Sequence, residues 1–146
     1  MITTAKVPPT KPPSGKVLVV DDDEVVRHSY QRSLRIAHCD VEAVDNGEDA
    51  LRALAANSFD VMLLDLRMPG MDGMEVLRAA RQASPQSEVI VITGYPTLET
   101  AKEAVQLGAF DYLAKPVGPA EIINATNAAL THKTWAMRTD TTSTIH

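Results

Sequence analysis

Three aspartates in a row, Asp21, Asp22 and Asp23, follow the apolar run "KVLVV", and a further aspartate, Asp65, ends the run "DVMLL". Thr93 closes "EVIVIT", and Lys115 stands between "AFDYLA" and Pro116. Each has a plain structural reading: an aspartate after a strand caps the next helix, a threonine finishes a strand, a lysine is solvated. Their common place, at or just past the end of a short apolar run, argues for chemistry. Two carboxylates roughly 4 Å apart repel by about 4 kcal/mol at an effective dielectric near 20, so a cluster needs raised pKa values or a bound cation. An all-oxygen donor set without His or Cys suits Mg²⁺ and not zinc. A metal, an ammonium and a hydroxyl around one carboxylate are parts for phosphoryl transfer, where positioning and charge neutralisation dominate. The carboxylate could itself be the nucleophile and form an acyl phosphate.

The elements that must position these residues are legible in the spacing. The runs "KVLVV", "VEAV", "DVMLL", "EVIVIT" and "AFDYLA" are too short for helices and rich in Val, Ile and Leu. Between them, apolar residues recur three and four apart: Val26, Tyr30, Leu34; Ala50, Leu51, Leu54; Val76, Leu77, Ala80; Ala101, Ala104, Val105. A last such segment carries Ile122, Ile123, Thr126 and Leu130. Five strands alternating with five helices imply an α/β fold, a doubly wound parallel sheet covered on both faces. Right-handed crossovers favour a flavodoxin-like strand order, 2-1-3-4-5, with ligands at the carboxyl ends of the strands.

Residues 1–15, "MITTAKVPPTKPPSG", hold four prolines and no hydrophobic period, and read as a flexible leader. The domain is expected over 16–131, with a frayed tail over 132–146. A net charge of −5 gives no attraction to nucleic acid or anionic membrane. No helix-turn-helix pair or basic stripe follows the fifth helix. Cys39 is the one cysteine, so no internal disulfide can form. No apolar run reaches the roughly 18 residues that cross a bilayer, and the chain reads as cytoplasmic.

The motifs "VLVVDDD", "LLDLRMPGMDG", "VIVITGYPT" and "GAFDYLAKP", in this order and spacing, resemble the receiver domain of two-component response regulators over about 16–131. The resemblance implies that Asp65 accepts a phosphoryl group from a sensor histidine kinase or phosphotransfer protein. It implies Mg²⁺ held by Asp21, Asp22, Asp65 and the backbone carbonyl of Arg67. Thr93 would bind the phosphoryl oxygen, Lys115 would pair with it, and Tyr112 would be the aromatic that changes rotamer. The face of helix four, strand five and helix five would then switch toward a homodimer, a downstream target or an output domain. "ITGYPTLETAKEAVQLGAFDYLAKP" looks most like receivers of the nitrogen-regulation and related enhancer-binding type. Where many receivers place an aromatic after the Lys-Pro pair, this chain has Val117, so a packing contact there is expected to be thinner.

In this light Asp65 should project from the sheet edge, open to a kinase histidine, and the turn "RMPGMDG" should return the chain without covering it. Pro69 moves Met68 out of helical geometry, Gly70 permits a positive φ, and Asp72 can cap the helix starting near Gly73. The acid Asp23 reads as solvated or as a helix N-terminal charge. Lys115 must turn back into the acidic pocket straight after its strand, so a cis Lys115–Pro116 bond is expected. Arg67 and Tyr95, two residues after Asp65 and Thr93, are placed to flank the approach of a hydrolytic water.

Two rival readings stand beside this one. "VVDDDEV" also fits the haloacid-dehalogenase phosphatase pattern, with Asp21 as nucleophile, Asp23 as acid/base, "VIVIT" as second motif and Lys115 as third. That family then needs a further acidic strand end, and "VGPAEIINATNAAL" offers none. The other rival is a pseudo-receiver, a binding module that keeps the fold without accepting phosphate.

Overall fold

The computed structural model describes residues 15–145, with side chains described over 15–133. The leader expected over 1–15 lies, Gly15 apart, outside the described residues. Five strands alternate with five helices: β1 Lys16–Val20, α1 Glu24–Ile36, β2 Asp40–Val44, α2 Gly47–Ala56, β3 Val61–Asp65, α3 Gly73–Ala83, β4 Glu88–Thr93, α4 Leu98–Gln106, β5 Asp111–Ala114 and α5 Pro119–Ile145. All pairings are parallel, in the order β2-β1-β3-β4-β5. The flavodoxin-like arrangement expected from the spacing is therefore the one found.

The strands form because their Val, Ile and Leu side chains can be buried on both faces at once. Val17, Val19, Val61, Leu63, Ile90 and Ile92 pack against Tyr30 and Leu34 of α1 and Ile122, Ala125 and Ala129 of α5. The alternate residues Leu18, Val20, Met62, Leu64, Val89 and Val91 pack against α2, α3 and α4 through Ala50, Leu54, Val76, Leu77, Ala80 and Ala104. Two helices thus cover one face and three the other. The cover by α4 is thin: Ala104 is its one buried residue, and Val105, expected on the inner face, is exposed. One slot of the helical period makes that difference, since Ala104 already fills the inward position.

The register sets the site. Val20 pairs with Leu64, so Asp21, one step past β1, comes level with Asp65. Asp65 pairs with Ile92, and Thr93 pairs with Ala114, so Lys115 follows one step beyond the same edge. Strand alternation sends Asp21 and Asp65 toward the α1 and α5 face. Thr93 goes with Val89 and Val91 toward the other face, where Tyr112, the partner of Val91, also lies.

At the far end of the sheet, Lys133 binds Asp60 and His132 binds Glu88, fixing α5 to the start of β3 and β4. Helical backbone extends to Ile145. The side chains of the tail expected to fray over 132–146 lie, His132 and Lys133 apart, outside the described residues.

Candidate phosphoryl-transfer site

Four chain segments meet at the carboxyl edge. Asp21, Asp22 and Asp65 each offer a carboxylate oxygen within 4.8 Å of the others. Lys115 donates from Nζ to Asp21 Oδ2 at 2.8 Å and lies 3.3 Å from Asp65 Oδ2. The cis Lys115–Pro116 bond expected from the sequence is present, and the Lys115 amide donates to the Thr93 carbonyl at 2.8 Å. The three acids are a hard, all-oxygen set that could hold a divalent cation.

Local hydrogen bonds fix each acid. The Asp23 amide donates to Asp21 Oδ1 at 2.9 Å, which orients the buried Asp21 carboxylate. The Arg67 amide donates to Asp65 Oδ1 at 3.1 Å. Asp23 turns its own carboxylate to α1, accepting from the Val25 and Val26 amides as the N-cap. Both readings of Asp23 hold: it is exposed to solvent and it is the charge at the N-terminus of α1. Asp22 stays exposed at the rim.

One expectation needs correction. Asp65 does not project from the sheet edge: it is only 4% exposed. Lys115 covers one oxygen, the Arg67 amide takes the other, and Asp21 stands beside them. Burial raises its pKa, more than the Arg67 hydrogen bond lowers it, and the charge of Asp21 raises it further. Burial works against the ammonium of Lys115, yet its hydrogen bond to Asp21 and the charges of Asp65 and Asp21 raise its pKa overall.

The turn after β3 behaves as its residues suggest. Gly70 has φ +88, and Asp72 accepts from the Met74 amide as the N-cap of α3. Gly73 has a second reason to be glycine: a Cβ there would sit 2.5 Å from Leu66 Cα and 2.6 Å from its carbonyl oxygen. The helix therefore starts in direct contact with the backbone that follows Asp65.

Thr93 is buried, and its Oγ1 accepts from the Tyr95 amide at 3.1 Å. The Arg67 guanidinium lies over the Tyr95 ring, 4.0 Å from its centroid, so these two residues stack on one another across the site. Val117 packs on the α1 and α5 side of the core and helps line an apolar groove of about 460 Å³ with Val25, Val26, Tyr30 and Pro116.

Two contributors escape a reading by strand ends. Arg27 donates from Nη1 to the Asp21 carbonyl at 2.9 Å, holding the end of β1 from α1. Tyr30, which the apolar period of α1 marks as core, is pushed up to about 12 by burial, with Asp21 and Asp65 adding to the rise against Lys115. The signal for Arg27 is its first-turn position after the acids. Tyr30 has no sequence signal beyond the helical period.

Comparison with known proteins agrees with this architecture. Residues 17–127 match the family described as response regulator receiver domain. The chain is 42% identical over 118 residues to the DNA-binding transcriptional regulator NtrC of Escherichia coli strain K12, covering 81% of this chain and 25% of that protein. It is 39% identical over 103 residues to the response regulator protein FleR of Pseudomonas aeruginosa, covering 70% and 22%. The CheY-like receiver domain structure from Methanospirillum hungatei JF-1 superposes with a TM-score of 0.81 at 28% identity, covering 83% of this chain and 97% of that one. NtrX from Brucella abortus gives a TM-score of 0.82 at 25% identity, covering 87% and 30%. The chain thus spans about a quarter of the length of the first two relatives.

Proposed function

The chain belongs to the response regulator receiver domain family, and from that premise we propose that Asp65 accepts a phosphoryl group from a phosphohistidine of a sensor kinase or phosphotransfer protein. The observation that carries this is the convergence of Asp21, Asp22, Asp65 and Lys115 at one sheet edge, with Thr93 one register step away. An Asp65 oxygen attacks phosphorus, the P–N bond breaks with its electron pair staying on the imidazole, and an acyl phosphate forms. Mg²⁺, held by Asp21, Asp22, Asp65 and the Arg67 carbonyl, would neutralise phosphoryl charge. Lys115 exchanges its contact with the Asp65 carboxylate for one with a phosphoryl oxygen, and the Thr93 hydroxyl donates to another. The groove beside Lys115, bordered by the exposed Val25, suits an apolar contact from the donor protein.

The added phosphoryl carries about −1.5 to −2 charge, which draws Thr93 and the loop after β4 toward Asp65. Tyr112 shares the Thr93 face of the sheet, so its ring can take the space that Thr93 leaves. The face of α4, β5 and α5, where Leu98 and Val105 are exposed, then becomes the surface for a homodimer, a target or an output domain. In this role the protein is a signalling switch and not an enzyme, although it assists its own phosphorylation and dephosphorylation. A cytoplasmic location is part of the same proposal, and among the described residues no helix is long and apolar enough to cross a membrane.

The phosphatase alternative with Asp21 as nucleophile needs a free Asp23 acid/base, whereas Asp23 is engaged in capping α1. Incubation with acetyl phosphate and Mg²⁺, read by intact mass, tests the proposal. Wild type should gain one phosphoryl group and Asp65→Asn none. Stoichiometric labelling of that variant would overturn it, and no labelling of wild type would favour a pseudo-receiver.

A further inference from the structure

Of the three acids at the site, Asp22 is the one whose carboxylate accepts no hydrogen bond among the described residues. Asp21 is held by the Asp23 amide and Lys115, and Asp65 by the Arg67 amide and Lys115. Asp22 is exposed at the rim, yet one of its oxygens lies within 4.8 Å of oxygens on both other acids. Its aim therefore has to come from its backbone.

Two peptide units set that backbone, one on each side of Asp22. The Asp22–Asp23 unit is held by its N–H, which donates to Asp21 Oδ1 at 2.9 Å. The Asp21–Asp22 unit is held at its carbonyl by Arg27, whose Nη1 donates to that oxygen at 2.9 Å. Arg27 is well anchored for this: it is half-buried, and its own amide donates to the Asp23 carbonyl at 3.0 Å in the first turn of α1. One residue thus grips the acidic tripeptide at both ends, by its guanidinium at Asp21 and by its amide at Asp23. No ion pair joins Arg27 to an acid among the described residues, so the carbonyl is what its side chain serves.

We propose that Arg27 is a positioning residue for the divalent cation: by clamping the Asp21 carbonyl it fixes the peptide plane that aims Asp22, and it acts through Asp22 without touching the metal. The inference rests on the reading of Asp21, Asp22 and Asp65 as metal ligands and adds a residue outside that set. Charge and position pull in opposite directions here. A guanidinium beside a cation site repels the cation, so by charge alone Arg27 lowers the affinity. Holding a ligand ready in its binding geometry removes an ordering cost and raises the affinity. Partners that orient metal ligands typically carry roughly 10–100-fold in affinity. The low end, about tenfold, is expected, because Asp21 and Asp65 keep their other partners.

Amide NMR of the whole chain tests this in wild type, Arg27→Met, Arg27→Lys, Asp22→Ala and the Asp22→Ala/Arg27→Met pair, with the β3 and β4 amides reporting that each is folded. Methionine keeps the apolar stem of Arg27 and removes its donors and its charge. In a Mg²⁺ titration Arg27→Met should bind about tenfold more weakly, with Arg27→Lys between it and wild type, since an ammonium can still donate to the carbonyl. Unchanged or tighter binding in Arg27→Met, or binding by Arg27→Lys no better than by Arg27→Met, would overturn the proposal. In the Asp22→Ala background the Arg27→Met change should cost little more, because its target is gone. A full tenfold loss there would show that Arg27 does not act through Asp22. A second arm needs no metal: the heteronuclear NOE of the Asp22 and Asp23 amides should fall in Arg27→Met, and values equal to wild type would defeat the clamp. A wild type that shows no saturable Mg²⁺ shift defeats the metal reading of the three acids, and the metal-free arm then decides the hold on the turn.

Discussion

Removing the Asp65 charge should stabilise the metal-free protein, although Asp65→Asn destroys the proposed acceptor. The nearest Asp21 oxygen is at most 4.8 Å away, a repulsion of at least about 3.5 kcal/mol at an effective dielectric near 20. Lys115 at 3.3 Å returns about 5 kcal/mol on the same scale. Against that small balance stands the cost of burying a carboxylate at 4% exposure, several kcal/mol after relaxation. The raised pKa of Asp65 gives the sign: the fold prefers this acid neutral. Asparagine keeps the shape, and Lys115 keeps Asp21 as its partner at 2.8 Å. A net gain of about 1 kcal/mol is expected at neutral pH, or about 3 °C in Tm for a domain of this size.

The pH dependence follows from the direction of the shift. An acid whose folded pKa is raised binds its proton more tightly when folded, so stability falls as pH rises from its unfolded value through its folded one. The advantage of asparagine should vanish below the unfolded carboxylate range, near about 3.9, and be complete above the folded pKa. Thermal unfolding by circular dichroism with a chelator present, at several pH values, measures it. Adding Mg²⁺ should reverse the order, because ligand at ten times Kd adds about 1.4 kcal/mol to the protein that binds it. A variant less stable than wild type at pH 7 without metal, or an advantage that persists at the acid end, would refute the reasoning.

Gly73→Ala should destabilise by about 1–3 kcal/mol in urea unfolding, since its Cβ would meet the Leu66 backbone at 2.5 Å. Thr126→Val should be neutral or stabilising by about 1 kcal/mol, because Thr126 Oγ1 is buried and has no hydrogen-bond partner among the described residues. Arg67→Ala/Tyr95→Ala removes the stack beside the pocket and should speed loss of the phosphoryl group, each tenfold corresponding to about 1.4 kcal/mol of barrier. Decay of phosphorylated protein at fixed Mg²⁺ checks this, and equal or slower decay in the variant would count against shielding.

The sheet was legible because a doubly covered parallel strand needs a continuous apolar run, and "KVLVV", "VMLL" and "VIVI" are hard to read otherwise. The polar residues at the ends of those runs were legible for the converse reason, having nothing apolar to do there. Side-chain depth was not. Asp65 is covered by Lys115, which stands fifty residues later in the chain, and no local pattern reports that contact. The hydrogen bonds that join the Tyr112 hydroxyl to the Thr97 amide and the Thr100 side chain are hidden similarly, since "PTLET" reads as an ordinary helix start. The helix after Lys133 loses its apolar period, so hydrophobic spacing could not reveal backbone that continues to Ile145.

The identity of the phosphorylated residue tests the central claim most directly. Borohydride reduces an acyl phosphate to the alcohol, converting the aspartate that carried it to homoserine, which peptide mass sequencing then locates. After acetyl phosphate and Mg²⁺, homoserine is expected at position 65 within "VMLLDLRMPG". Homoserine at position 21 or 22, with Asp65 intact, would contradict the account.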